Sequence, residues 1–184
     1  MTLVVLYGDS MLARFTKTRI DGLESHVGAG SLVLNCAAGG WTSVDGARRV
    51  HAVAELDPDV VVLSFGTNDC VPTRRVELEA FAANIQRMIE GFPRAKVLAF
   101  LPPSVVEREG EGPRGRTNKE LTAYRDVLRN AVGHVRSVET DRALTPLAAA
   151  AEPTHVDDLH LTGPAYELVI AALALHIRLA LDED

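Results

Sequence analysis

Two cysteines, Cys36 and Cys70, are all the thiol chemistry in this 184-residue sequence. Neither sits in a paired-cysteine spacing, which excludes a disulfide framework and a zinc ribbon; free thiols are expected. Long apolar runs are missing too. The longest, Leu168 to Leu175, falls well short of the roughly 20 residues that span a bilayer, and His176 and Arg178 follow at once. No basic run lies along a helical pattern, and a formal net charge of -6 argues against nucleic acid as a partner. Met1 leads straight into Thr2 to Tyr7 with no basic segment or small-residue cleavage site, so a cytoplasmic location and no membrane partner are expected. The G-x-S-x-G elbow of α/β-hydrolases occurs nowhere.

What is present is the balance of a globular protein, 47% apolar and 24% charged, at a length that suits a single domain over residues 1–184. Strand-like runs near Leu3 to Tyr7, Leu32 to Asn35, Val60 to Phe65, Lys96 to Leu101 and Val135 to Glu139 alternate with helical patterns. That alternation predicts an α/β fold, a five-stranded parallel sheet between two helical layers. Leu78, Phe81, Ala82, Ile85, Met88 and Ile89 form one amphipathic stripe. Leu121, Tyr124, Leu128 and Ala131 form a second behind Thr117 or Asn118 as N-cap, and Ala165, Leu168, Val169, Ala172 and Leu173 a third. Weaker patterns cover Met11 to Leu23 and Val44 to Leu56. The stretch from Pro102 to Arg116 has three Pro, three Gly and many charges, and reads as one long loop.

In open parallel sheets ligands bind beyond the carboxyl ends of the strands, so the residues there carry the chemistry. They are Gly8-Asp9-Ser10, the Asn35 to Gly40 segment, Gly66-Thr67-Asn68-Asp69 and, before the last helix, Asp157-Asp158-Leu159-His160. A serine becomes a nucleophile only when a base takes its proton, and the D-x-x-H spacing lets Asp157 orient His160 as that base. Gly40 allows close approach of a backbone N–H, Asn68 offers a side-chain amide, and Ser10 adds its own N–H at a strand-to-helix turn where a helix dipole would help.

Each piece alone has a plainer reading: Ser10 as a helix cap, Asp9, Asn68 and Asp69 as turn formers, Gly40 as a bend. Together and in order, they resemble the block pattern of SGNH (GDSL-type) hydrolases over residues 8 to 160. The resemblance implies a flavodoxin-like strand order 2-1-3-4-5 and ester hydrolysis through an acyl-serine without a cofactor. It implies Ser10, Asp157 and His160 as catalytic triad and Ser10, Gly40 and Asn68 as oxyanion hole. Two departures stand out: Asp158 occupies a position where the family often has Gly, and Gly163-Pro164 follows Leu161-Thr162 where Pro commonly comes first. An added carboxylate beside the triad would move the acid limb of the activity profile.

His26, His51, His134 and His176 have no motif around them. A metal site drawn from His155, Asp157, Asp158 and His160 lacks well-spaced ligands, and no metal is expected. Trp41 either lines the cleft or packs in the core. The 107–116 segment has six charges and no large apolar side chain, so it cannot wall a groove for a long acyl chain. It reads equally well as a solvated excursion that never meets substrate. The expected substrate is a short-acyl ester of a small polar alcohol. A lysophospholipase or acyl-thioesterase, or a non-catalytic binding module on the same fold, are the rival readings.

Overall fold

The computed structural model describes residues 1–183. Five strands, β1 (Thr2–Gly8), β2 (Ser31–Asn35), β3 (Val60–Ser64), β4 (Lys96–Phe100) and β5 (Ser137–Val138), pair in parallel in the order β2-β1-β3-β4-β5. This is the flavodoxin-like order that the resemblance implied. At the sheet centre β1 and β3 approach so closely that a Cβ on Gly8 would lie 2.3 Å from the Ser64 carbonyl oxygen. Only glycine fits there, one residue before the Asp9-Ser10 turn.

Among the described residues eight helices flank the sheet: α1 (Ser10–Ala13), α2 (Lys17–Val27), α3 (Ser43–Ala54), α4 (Leu78–Glu90), α5 (Asn118–Val132), α6 (Thr140–Ala143), α7 (Thr145–Ala149) and α8 (Gly163–Leu181). Successive strand residues point to opposite faces, so Val4, Leu6, Val60 and Val62 pack with Met11, Leu23, Tyr166 and Leu173. Val5, Tyr7, Val61 and Leu63 pack on the other side with Val50, Phe81, Ile85 and Tyr124. Each fully buried aliphatic chain contributes about 1.5–3 kcal/mol over its exposed state. The continuous apolar runs of β1 and β3 are what burial on both faces requires.

Three features differ from the sequence reading. The Met11 to Leu23 pattern is two helices, broken between Ala13 and Lys17, where the Asn35 amide donates to the carbonyls of Leu12 (2.9 Å), which also accepts Phe15 N–H, and of Phe15 (3.1 Å). The last strand is only two residues, because α5 ends at Gly133 in a left-handed conformation and residues 134–136 form a 3-10 turn with Val135 exposed. Finally, α8 is long and apolar enough by composition to cross a membrane. Its composition is accounted for by eight side chains, from Ala165 to Ala180, buried on its inner face. In the long loop, Gly110 to Gly115 spells G-x-G-x-x-G, yet it joins an Arg108–Glu111 bridge to a 3-10 turn rather than a strand to a helix, so it is not a dinucleotide-binding turn.

Candidate active site

Ser10 opens α1 directly after β1, and its Oγ lies 3.0 Å from His160 Nε2. Behind the ring, Nδ1 lies 2.7 Å from Asp157 Oδ2. A carboxylate on the Nδ1 side favours the tautomer with its proton there, leaving Nε2 as acceptor toward the serine. The turn that presents the pair is built by the same aspartate: Asp157 Oδ1 accepts the N–H groups of Leu159 (3.3 Å) and His160 (2.7 Å). A bridge between His155 and Leu161 closes the loop, and Thr162 caps α8 just beyond. Partial burial pushes the Asp157 carboxyl up, but the hydrogen bonds from His160 outweigh it and hold the group at about 2. It therefore stays ionised well into the acid range. The Arg14 guanidinium sits 3.7 Å from Asp157 Oδ2, adding a cation to the pair.

Asp158 has φ 62°, the left-handed region that favours glycine, so the position suits the Gly of the resembled pattern and the aspartate sits there in a conformation L side chains rarely adopt. Its carboxylate is turned away from the ring and taken by Arg108, with Nε to Oδ2 and Nη2 to Oδ1 both at 2.7 Å. The effect expected from the sequence is thus screened by a bidentate partner. Asp158→Gly is expected to leave the acid limb of kcat/KM where it is in the unsubstituted protein; a pH–rate series on both checks this, and a displaced limb would show that the charge reaches His160.

Around Ser10 stand the residues expected to act as donors. Gly40 has φ 80°, so its conformation favours glycine, and the Gly40 carbonyl accepts from Arg74 Nη2 (2.6 Å). Asn68 is nearly buried; its Nδ2 donates one hydrogen to the Trp41 carbonyl (2.9 Å), and Asn68 and Gly40 line the cleft with Ser10. Because α1 is a single turn, it brings no long helix dipole to the cleft. The loops are tied beneath by Asp69, whose carboxylate accepts from Ser43 N (2.8 Å) at the start of α3 and Gly66 N (3.1 Å) after β3.

Sequence reasoning missed Arg116. It is 2% exposed, donates to the carbonyls of Thr67 and Pro113 (both 2.6 Å), and through Nη2 (3.1 Å) to Asn68 Oδ1. Those contacts fix which way the Asn68 amide faces. The 102–116 loop therefore does meet the cleft, against its reading as a solvated excursion: Pro113, Arg114 and Arg116 line a space of about 500 Å³ with Ser10 and His160.

Beneath Ser10, Asp9 is fully buried; Oδ1 accepts Met11 N (2.9 Å) and Oδ2 has no partner. Burial, with the Asp69 carboxylate adding to it, pushes the Asp9 carboxyl up to about 7 from the ordinary 3.8. Between those values the folded protein keeps a proton that the unfolded chain has released. Stability from this group is complete below about pH 4 and is lost as pH rises to about 7, on the order of 2–4 kcal/mol. Asp9→Asn is expected to flatten that slope and to melt above the unsubstituted protein at pH 8, with near-equal melting at pH 4; parallel melting curves across pH would refute the assignment.

Other candidates fall outside the cleft. Trp41 packs edge-on against Tyr7 at 6.2 Å with Arg49 over its face. Burial pushes the thiols of Cys36 and Cys70 up, the latter to about 11, away from nucleophilic character. His155 is held by Thr154 (2.8 Å), and no cluster of three metal-ligating side chains occurs among the described residues.

A family model described as GDSL-like Lipase/Acylhydrolase matches residues 6–168. Among solved structures, the chain resembles a lipase/acylhydrolase from Enterococcus faecalis at 26% identity and TM-score 0.82, covering 97% of this chain and 96% of that one. A carbohydrate acetylesterase from Sinorhizobium meliloti shares the fold at 17% identity and TM-score 0.76, with 96% and 98% covered. So does an acetylxylan esterase from Geobacillus stearothermophilus at 18% and 0.77, with 96% and 94% covered. No curated protein matches the sequence.

Proposed function

The chain belongs to the GDSL-like lipase/acylhydrolase family, a family of carboxylic ester hydrolases, and from that premise we propose that it cleaves short-acyl esters of small polar alcohols through an acyl-Ser10 intermediate. The observation that carries this reading is the chain of contacts from Ser10 Oγ through His160 to Asp157, at 3.0 and 2.7 Å, opening into the cleft that Gly40 and Asn68 line. His160 Nε2 accepts the Ser10 proton as Oγ attacks the ester carbonyl, and returns it to the leaving alcohol. Water then repeats the cycle on the acyl-enzyme. Asp157 holds the ring and stabilises the imidazolium while it exists. The N–H groups of Ser10 and Gly40 and the second hydrogen of Asn68 Nδ2 take the charge that develops on the carbonyl oxygen. A small-molecule ester is the partner, and the proposed chemistry needs no cofactor.

A non-catalytic binder would have no use for nucleophile, base and donors in one place. Labelling of Ser10 by a fluorophosphonate probe tests the reading; an unlabelled, folded protein would favour the binder. The acyl preference follows from the cleft walls, where Ala13, Pro113 and Leu159 are the apolar members among charged and polar ones. Long chains would find no continuous apolar groove there. Across p-nitrophenyl esters below their micelle thresholds, kcat/KM is expected to peak at acetyl to butyryl; a maximum at octanoyl or beyond would bring the lysophospholipase or thioesterase reading forward. We propose a cytoplasmic location as well, which fractionation of source cells tests.

A further inference from the structure

The molecule carries a net charge of -6, yet one side of its cleft is cationic. Arg114 lines it, exposed and with no hydrogen bond or ion pair among the described residues. Arg116 lies behind it, spending its donors on two carbonyls and on Asn68. Arg74 reaches the same corner from the segment after β3, donating through Nη2 to the Gly40 carbonyl while Nη1 stays uncommitted. Arg114 and Arg116 line the cleft and Arg74 bonds the carbonyl of Gly40, another lining residue, so the three guanidiniums gather at one corner. Asp9 acts on Arg116 from within the core, but three carboxylates closer to the cleft mouth are engaged elsewhere. Asp157 holds His160, Asp158 is taken by Arg108, and Glu107 accepts the Asn118 N–H at the far side of the loop.

Arg74 and Arg114 stand beside Arg116 with no ion pair of their own among the described residues, and like charges so placed cost energy that a bound anion would return. Guanidinium forks match carboxylate, phosphate and sulfate oxygens, and a cleft lined by one sign concentrates ligands of the other. Resting on the esterase reading, we propose that the Gly40–Asn68 side of the cleft is an anion subsite, in which Arg114 and Arg74 hold an anionic oxygen group carried by the ester. Arg116 adds its charge from below. The substrate class is thereby narrowed from polar esters to esters that bear a carboxylate, phosphate or sulfate near the scissile bond.

The test compares matched esters that differ in one charge. On the acyl side, p-nitrophenyl hemiadipate, too long for its carboxylate to close a five-membered anhydride, is set against p-nitrophenyl methyl adipate; on the alcohol side, 4-acetoxybenzoate against its methyl ester. Each rate is divided by that ester's hydroxide-catalysed rate. The anionic member is expected to be favoured about tenfold or more in kcat/KM in at least one pair, and which pair it is tells whether the charge belongs to acyl group or alcohol. Arg114→Gln should reduce that ratio, Arg114→Glu should reverse it, and Arg114→Lys should restore part of it, since lysine keeps the charge but loses the fork. Raising ionic strength from about 0.02 to about 0.5 M should narrow the ratio in the unsubstituted protein. Ratios near one in both pairs, or a preference that survives Arg114→Glu, overturn the subsite and leave the esterase reading standing. No turnover of any of the four esters, with Ser10 unlabelled by fluorophosphonate, overturns that reading and the subsite with it.

Discussion

Ser10→Ala is expected to lower kcat at least about 10⁴-fold on any ester the protein cleaves, with melting temperature nearly unchanged. The hydroxyl faces His160 in the cleft and takes no part in core packing, so its loss removes chemistry without leaving a cavity. What remains is the donor set, which can still polarise a carbonyl for attack by water. The measurement is kcat on p-nitrophenyl acetate with purified variant, alongside a melting curve to establish folding. A folded variant that keeps more than about one per cent of the activity would rule out the acyl-serine route, since removing a triad member elsewhere costs orders of magnitude more.

The second large effect belongs to Asn68. Asn68→Ala should lower kcat by about 10²–10³, or about 2.7–4 kcal/mol of barrier, while KM stays within a few-fold, because in the proposed mechanism its amide donates to a charge that exists only in the transition state. A loss confined to KM would mean that Asn68 merely binds the ground state. Arg116 acts through it. With Arg116 Nη2 donating to Oδ1 and the Trp41 carbonyl taking one Nδ2 hydrogen, the amide has a single orientation, its second Nδ2 hydrogen left over. Arg116→Lys keeps the charge but not the fork, and should show the same kcat-weighted loss at smaller size; a change in stability alone would make Arg116 structural.

The layered fold was legible because parallel strands buried on both faces must be apolar throughout, and the runs at β1, β3 and β4 are so. Their ends located Ser10 and Asn68. The break after Ala13 was not legible, since it depends on Asn35, a residue on the neighbouring strand, to donate to the carbonyls there. Val135 looked like a strand residue, but Gly133 at φ 86° turns the chain first. Arg116 was out of reach for another reason: arginines are expected at the surface, and only the meeting of the 102–116 loop with the turn after β3 supplies the three acceptors that let one be buried. Asp158 was flagged as a departure, yet its left-handed conformation and its Arg108 partner appear only in three dimensions.

Ser10 and His160 touch across 150 positions of chain. During synthesis, which presents the N-terminal end first, the serine and its strand emerge long before the base, and the turn that holds Asp157 and His160 is fastened to the fold by α8, the final helix. A chain arrested anywhere before residue 157 thus exposes an ordinary, unactivated hydroxyl. On the proposed mechanism, competence for acyl transfer therefore has to await α8, so half-made or unravelled molecules are expected to be chemically silent rather than loosely reactive.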